Sequence, residues 1–292
     1  MLEREPSRTA FAAAAYRAAH QVLEDGQIFK DALAVPILGV DPDIFRSEEE
    51  QLQMRRVMRF FIAARSNIAE AALKRGVEER GVRQLVVLGA GLDTFAYRNP
   101  FEGRLKVYEV DHPTTQAWKR RRLEEAGIAI PDSLVYAPVD FERETLTQQL
   151  AAAGLDPDQR TFFTWLGVVP YLTKEAIAST LAQIAAHPGG GEVVFDYSEP
   201  REALDPEVQA YYDARAARVA AIGEPFLSHF KPQDLLGQLK AHGFTEIDDL
   251  DMSGLFTRLT GHADDGVRRP GGHVLYAATQ IQGVMAPSLT DR

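Results

Sequence analysis

"VVLGAGLDTFAYR", residues 86–98, decides how this chain is read. An apolar run enters Gly89-Ala90-Gly91, and Asp93 follows two positions after the second glycine. A glycine turn after a strand lets the backbone approach a ligand closely, and a helix behind it aims free N–H groups at an anion. Nucleotides, dinucleotides and adenosyl cofactors all use turns of this kind, so the surrounding residues must choose among them. A dinucleotide turn carries a third glycine in G-x-G-x-x-G, but Thr94 stands in that place. A P-loop ends in Gly-Lys-Ser/Thr, and no lysine of this chain precedes serine or threonine.

A turn without a phosphate signature fits an adenosyl cofactor that has no phosphate, such as S-adenosylmethionine. The next strand-like run, "VYEVDHP", places Glu109 and Asp111 two residues apart, on one face of a strand. Asp111 lies 20 residues after Gly91, where a carboxylate can accept both ribose hydroxyls. That spacing points to adenosine and is common to nicotinamide and methyl-donor sites.

Working outward, seven strand-like runs are legible: 84–90, 106–112, 134–141, 161–168, 192–198, 245–251 and 273–279. Helical patterns at 113–126, 143–153 and 173–187 separate the first five, which predicts a mainly parallel sheet covered on both faces. The stretch from Ser253 to Gly272 reads as a loop, so the last two strands are expected to be antiparallel. The expected fold class is α/β, five parallel strands and a terminal antiparallel pair, which suggests by analogy the Rossmann-like seven-stranded sheet of class I methyltransferases. Segments 7–24, 49–80 and 201–222 read as a helical cover; Leu52, Val57, Phe61, Ile62, Ile68 and Leu73 are its candidate core positions. No linker-like segment divides the chain. One domain over 1–292 is expected, with a cover at 1–80, a cofactor core at 81–200, an inserted cover helix at 200–230 and a terminal helix and strand pair at 231–292.

Composition narrows the partners. The chain is 292 residues long, 45% hydrophobic and 25% charged, ample for a core without staples. It has no cysteine, which removes disulfides, thiolate metal sites and cysteine nucleophiles and fits a cytoplasmic location. A net charge of −10 opposes attraction to nucleic acid. The N-terminal residues lack the apolar core of a signal peptide, and no apolar run is long enough to span a bilayer. The basic run at 119–122 is followed by Glu124 and Glu125 and reads as a solvated helix face. Seven histidines are present without an HExxH element, so no metal site is expected.

"LGAGLDTFAYR" followed by "YEVDHP" resembles the leucine carboxyl methyltransferase family, including its bacterial polyketide O-methyltransferase-like branch. "SRTAFAAAAYRA" (7–18), "FIAARSNIAEAAL" (61–73) and "WLGVVPYLT" (165–173) resemble three further family segments, and the resemblance fades after about residue 200. It implies an S-adenosylmethionine-dependent O-methyltransferase with a small-molecule acceptor. It also implies site roles. Arg65 would pair with the methionyl carboxylate, with Arg8 a further candidate; Gly89, Ala90 and Gly91 would pass beneath the cofactor; Asp111 would take the ribose; Asp140 and Phe141 would receive the adenine. Leu166 departs from the pattern, since many members carry glutamate there near the methyl donor. No catalytic base is assigned. His229 is the first histidine to examine, and Tyr171, Tyr197, Tyr211 and Tyr212 are candidate pocket-lining rings. The alternatives are an NAD(P)-dependent oxidoreductase and an adenosyl-cofactor-binding protein without turnover. The acceptor's identity and the oligomeric state are not legible.

Overall fold

The computed structural model describes residues 7–47, 56–139, 145–262 and 271–280. Seven strands are present among them: β1 (Gln84–Leu88), β2 (Lys106–Asp111), β3 (Leu134–Pro138), β4 (Thr161–Trp165), β5 (Gly191–Ser198), β6 (Phe244–Asp251) and β7 (Gly272–Thr279). They form one sheet in the order β3-β2-β1-β4-β5-β7-β6. Strands β1 to β5 pair in parallel, and β7 lies antiparallel between β5 and β6. The expected sheet, its five parallel strands and its terminal antiparallel pair are all observed.

Why these residues make strands follows from burial on both faces. Every residue of β1 is buried, and so are Phe162, Phe163, Val193, Val194 and Phe195 in β4 and β5. A strand covered on both sides reads as a continuous apolar run rather than an alternating one. Burying each such side chain contributes about 1.5–3 kcal/mol.

Helices α1 (Arg8–Leu23), α2 (Ala34–Leu38) and α3 (Asp43–Ser47) precede the long α4 (Arg56–Glu79). Next come α5 (Pro113–Glu125), α6 (Leu146–Ala152), α7 (Lys174–Ala185), α8 (Pro206–Ala221), α9 (Pro232–His242) and α10 (Met252–Thr260). One face of the sheet packs on Phe61, Ile68 and Leu73 of α4 and Leu255 of α10. The other packs on Leu150 of α6, Leu181 of α7 and Leu239 of α9. A third cluster joins α1 and α2 to Leu92 behind the glycine turn and to Leu123 of α5.

The chain enters the sheet at β1, builds outward through β2 and β3, then crosses to β4 on the other side. At such a reversal, neighbouring loops leave the strand ends in opposite directions and open a crevice. The Gly89–Gly91 turn after β1 and the Leu166–Gly167 segment after β4 line the two sides of that crevice.

Three expectations are corrected. The stretch expected to be a loop contains α10, whose first turn is capped by Asp251 accepting from the Gly254 N–H at 2.8 Å, and whose Met252 and Leu255 are buried. The basic run is not a solvated face: Lys119 is 1% exposed and pairs with Glu109 at 2.8 Å. Arg122 donates to the Ile37 carbonyl at 3.2 Å, which leaves Arg120 and Arg121 facing water. In α4, Phe61, Ile62, Ile68 and Leu73 are core as expected, whereas Val57 faces solvent; Leu52 lies outside the described residues.

Candidate functional site

The glycine turn is built by left-handed backbone geometry that favours glycine. Gly89 has φ +66° and Gly91 φ +47°. The N–H groups of Gly89 and Ala90 both donate to the Val110 carbonyl, at 2.8 and 3.0 Å, folding the turn onto the end of β2. A Cβ on Gly89 would overlap the Val168 side chain, and one on Gly91 would stand 3.0 Å from the Ala10 Cβ. The turn is thus bare because two neighbours close over it: α1 from above and the segment after β4 from the side.

Asp111 ends β2 directly beside this turn. Its Oδ2 accepts from the Gly91 N–H at 2.6 Å and its Oδ1 from the His112 N–H at 2.7 Å. Burial pushes its carboxyl pKa up, against the opposing pull of those two N–H groups. His112 then caps α5, its Nδ1 accepting from the Thr114 N–H at 3.2 Å. Glu109, expected on the same face as Asp111, is wholly buried; its Oε2 meets Lys119 and its Oε1 has no partner among the described residues. Burial raises the Glu109 carboxyl to about 7 despite the Lys119 ammonium beside it.

Arg65 reaches the crevice from α4 and is 8% exposed. Its Nη1 donates to Asp196 Oδ2 at 2.9 Å, while Asp196 Oδ1 accepts from the Gly167 N–H at 2.5 Å. One carboxylate from β5 therefore fixes both the arginine and the backbone after β4. A Cβ on Gly167 would lie 2.9 Å from the guanidinium, so glycine is needed for that approach. The Arg65 Nε is buried without a partner among the described residues. An orphaned donor of this kind costs about 1–3 kcal/mol unless something accepts from it.

These residues surround a cavity of about 590 Å³. Arg65, Gly89, Ala90, Gly91 and Asp111 all line it, together with His112, Thr115 and Asp196, which sequence reasoning missed. Asp196 carried a related signal, an acid directly after the apolar run Val193–Phe195 of β5. Asp140 and Phe141 lie outside the described residues. Arg8 opens α1 at an exposed position and does not line the cavity. Leu166 lines it and adds apolar surface. Four carboxylates border the space, Asp93, Asp111, Asp196 and Glu224, and each accepts a hydrogen bond from within the chain.

The roof comes from two distant segments. The Thr9 N–H of α1 donates to Glu224, just past α8, at 3.2 Å. Tyr171 and Tyr211 line the space, and burial raises the Tyr171 phenol pKa, so it stays protonated near neutrality. Tyr197 packs in the core and donates to Asp249 at 2.6 Å. His229 does not line the cavity: Tyr212 hydrogen-bonds its Nε2 and packs edge-on against it, 5.6 Å between centroids. Burial, with Lys174 adding to it, lowers the His229 pKa. This pair holds α8 to the following loop.

A seven-stranded sheet of this order, with a glycine turn and strand-end acid around a crevice at the chain reversal, defines the methyltransferase class of α/β folds. The leucine carboxyl methyltransferase family model matches residues 10–185, from α1 through α7, and the chain belongs to that family. YktD of Bacillus subtilis (strain 168), provisionally named an S-adenosyl-L-methionine-dependent methyltransferase, is 36% identical over 181 residues, covering 60% of this chain and 59% of YktD. A Mycobacterium marinum protein of the same provisional name is 33% identical over 175 residues, covering 60% of this chain and 47% of that one. The matched region thus spans about half the length of these relatives. Among solved structures, a DUF574 family protein from Streptomyces avermitilis superposes with a TM-score of 0.54 at 14% identity, covering 91% of this chain and 97% of that one. Fold and family thus agree: the seven-stranded sheet is of the methyltransferase type, and residues 10–185 carry the family's pattern.

Proposed function

We propose that this protein transfers the methyl group of S-adenosylmethionine to an oxygen of a small molecule. The observation that carries the reading is convergence. The Gly89–Gly91 turn, the Asp111 carboxylate and the orphaned Arg65 Nε border one cavity, and its volume lies in the range that encloses small ligands.

In this reading Asp111 accepts from the ribose hydroxyls with the lone pairs left over from its two backbone bonds. Arg65 offers its free Nε–H to the methionyl carboxylate, and Asp196 keeps the guanidinium oriented for that contact. Asp140 and Phe141 take the adenine. S-adenosylmethionine, when bound, supplies an electrophilic methyl group, which a carboxylate oxygen accepts as it stands and a hydroxyl accepts only as it loses its proton. The chain's own work is to position the acceptor and exclude water. The roof formed by Thr9 and Glu224 serves both ends.

Oxygen as the acceptor atom rests on the motif resemblance to the polyketide O-methyltransferase-like branch. A cytoplasmic location and a single domain embracing the cover and the sheet complete the proposal. Cover and sheet share apolar clusters, which supports the single domain.

The test is calorimetric titration with S-adenosylmethionine, S-adenosylhomocysteine and NADH, on the wild type and on Asp111→Ala. Saturable binding of both adenosyl ligands, weakened at least tenfold in the variant and absent for NADH, is expected. NADH binding would replace this reading with an oxidoreductase. Adenosyl binding without methyl transfer to any oxygen acceptor would leave a cofactor-binding protein.

A further inference from the structure

Beyond the cofactor-facing residues, the cavity has a wall of different character. Arg215 and Arg218 of α8 both line it. Three residues apart on a helix, they project from neighbouring points of one face. Arg215 is half-buried, with its guanidinium 5.0 Å from the centroid of the Phe226 ring. Neither side chain forms an ion pair among the described residues.

Their neighbours explain why this matters. The carboxylates bordering the cavity are already engaged by backbone N–H groups or by Arg65. Arg17, also on the cavity wall, is consumed by Asp31 at 2.7 Å and by the Leu92 carbonyl at 2.6 Å. In a chain of net charge −10, two cations left without counter-ions beside one cavity form a local positive wall. Arg215 shares Phe226 with Tyr171, whose ring is tilted against it at 5.4 Å between centroids, and Leu166, Val168 and Leu227 add apolar surface to the same cavity. A guanidinium in such surroundings is weakly hydrated and suited to carboxylate recognition in a bidentate fork.

We propose that α8 selects the acceptor: Arg215 and Arg218 hold the carboxylate of an amphipathic organic acid whose apolar or aromatic body lies on Tyr171 and Leu166. This deepens the methyltransferase reading and rests on it for the word acceptor, but it concerns binding and can be tested without turnover. The arginines lie beyond residues 10–185, where the family model matches, so the selection belongs to the chain's own cover segment.

The experiment measures equilibrium binding of matched pairs to the full chain saturated with S-adenosylhomocysteine. The panel is benzoate, cinnamate, 2-naphthoate, octanoate and decanoate, each beside its primary amide. At least one acid is expected to bind tenfold or more tightly than its amide. The preference should fall below threefold in Arg215→Gln/Arg218→Gln and shrink as salt rises from 50 to 500 mM, conditions set by the range over which ionic screening changes. Binding of S-adenosylhomocysteine to the double variant should be unchanged within twofold. Equal binding of acids and amides, an acid preference that survives in the double variant, or no acid bound at all would each overturn the proposal. Failure of S-adenosylhomocysteine itself to bind is a separate outcome, read in the preceding titration; it sinks the methyltransferase reading, and the pairs are then compared on the unsaturated chain.

Discussion

Thr94 Oγ1 donates to Asp31 Oδ2 at 2.6 Å, and both groups are buried. The residue that takes the place of a dinucleotide turn's third glycine is therefore a tether to the N-terminal cover. Asp31 also accepts from Arg17 Nε at 2.7 Å and stands 3.4 Å from Arg98 Nε, while Arg98 in turn pairs with Glu70 of α4. One carboxylate thus joins α1, the glycine loop and α4 above the cavity.

Asp31→Asn should weaken this hub strongly. Removing one partner of a buried charge pair costs about 3–5 kcal/mol, because the remaining charge loses its compensation. Thr94→Val should cost less, about 1–3 kcal/mol, because the hydroxyl donates to Asp31 and also accepts from Arg98 Nε at 3.1 Å. Burial works to raise the Asp31 pKa, but Arg17, Arg98, the Thr94 hydroxyl and the Leu33 N–H together hold it below the usual carboxylate value. A depressed folded pKa contributes stability that is present above the unfolded value, near 3.8, and lost as pH falls through the folded one. Urea unfolding between pH 7 and pH 3 checks both points: Asp31→Asn should lose less on acidification than the wild type, and equal losses would refute the role given to Asp31.

Gly89→Ala should destabilise by two separable causes. Its φ of +66° strains any L residue, and the new Cβ would overlap Val168. The positive φ costs about 1–2 kcal/mol, and the overlap adds a packing penalty of about 1–3 kcal/mol. A double-mutant cycle with Val168→Ala separates them. The pair should recover the packing part and leave the backbone part, read as midpoint shifts in urea. Full recovery would mean that glycine is required only for space.

Strands β1, β4, β5 and β7 were legible because each is buried on both faces and so spells a continuous apolar run, whereas β6 is half exposed and mostly polar and was read from its place before the last strand. The glycine turn and Asp111 were legible because their spacing follows from parallel-sheet geometry. Helix α10 was not, although Met252, Leu255, Phe256 and Leu259 recur at helical spacing, because nine residues with a glycine at the third position resemble a loop and take their start from the Asp251 cap. The basic run misled for a related reason. Charge suggests water, but Lys119 is turned inward by the buried Glu109, a partner ten residues away on the preceding strand. Arg65 was legible only through resemblance, since nothing local reports that Asp196, 131 residues further on, will hold it.

The Glu109–Lys119 pair predicts a pH signature of opposite sign to that of Asp31. Burial raises the Glu109 pKa from 4.5 to about 7, with Lys119 opposing. A carboxyl with a raised folded pKa contributes stability that is fully present below about 4.5 and lost as pH rises through about 7. Glu109→Gln/Lys119→Met replaces both charges with neutral groups, an exchange of the kind that is often neutral or stabilising. Its stability relative to the wild type should rise between pH 5 and pH 7.5, by no more than about 1.4 kcal/mol per pH unit for one proton. Denaturant midpoints at four pH values in that window measure this, and a difference independent of pH would show that Glu109 is ionised throughout.

Asp196 touches Arg65 and the Gly167 N–H and accepts from both. It acts on the cofactor through the arginine. Asp196→Asn keeps the shape and one carbonyl acceptor but removes the charge that orients the guanidinium. Affinity for S-adenosylhomocysteine, whose amino-acid part carries the carboxylate assigned to Arg65, should fall about tenfold, or about 1.4 kcal/mol. Arg65→Lys should do at least as much harm, because an ammonium cannot reproduce the planar fork. The decisive comparison uses adenosine, which has the ribose and base but no carboxylate. Adenosine should bind wild type, Asp196→Asn and Arg65→Lys alike. A loss for S-adenosylhomocysteine alone places the Arg65–Asp196 pair at the methionyl end of the site, whereas equal losses for both ligands would mean that the pair merely holds the crevice open.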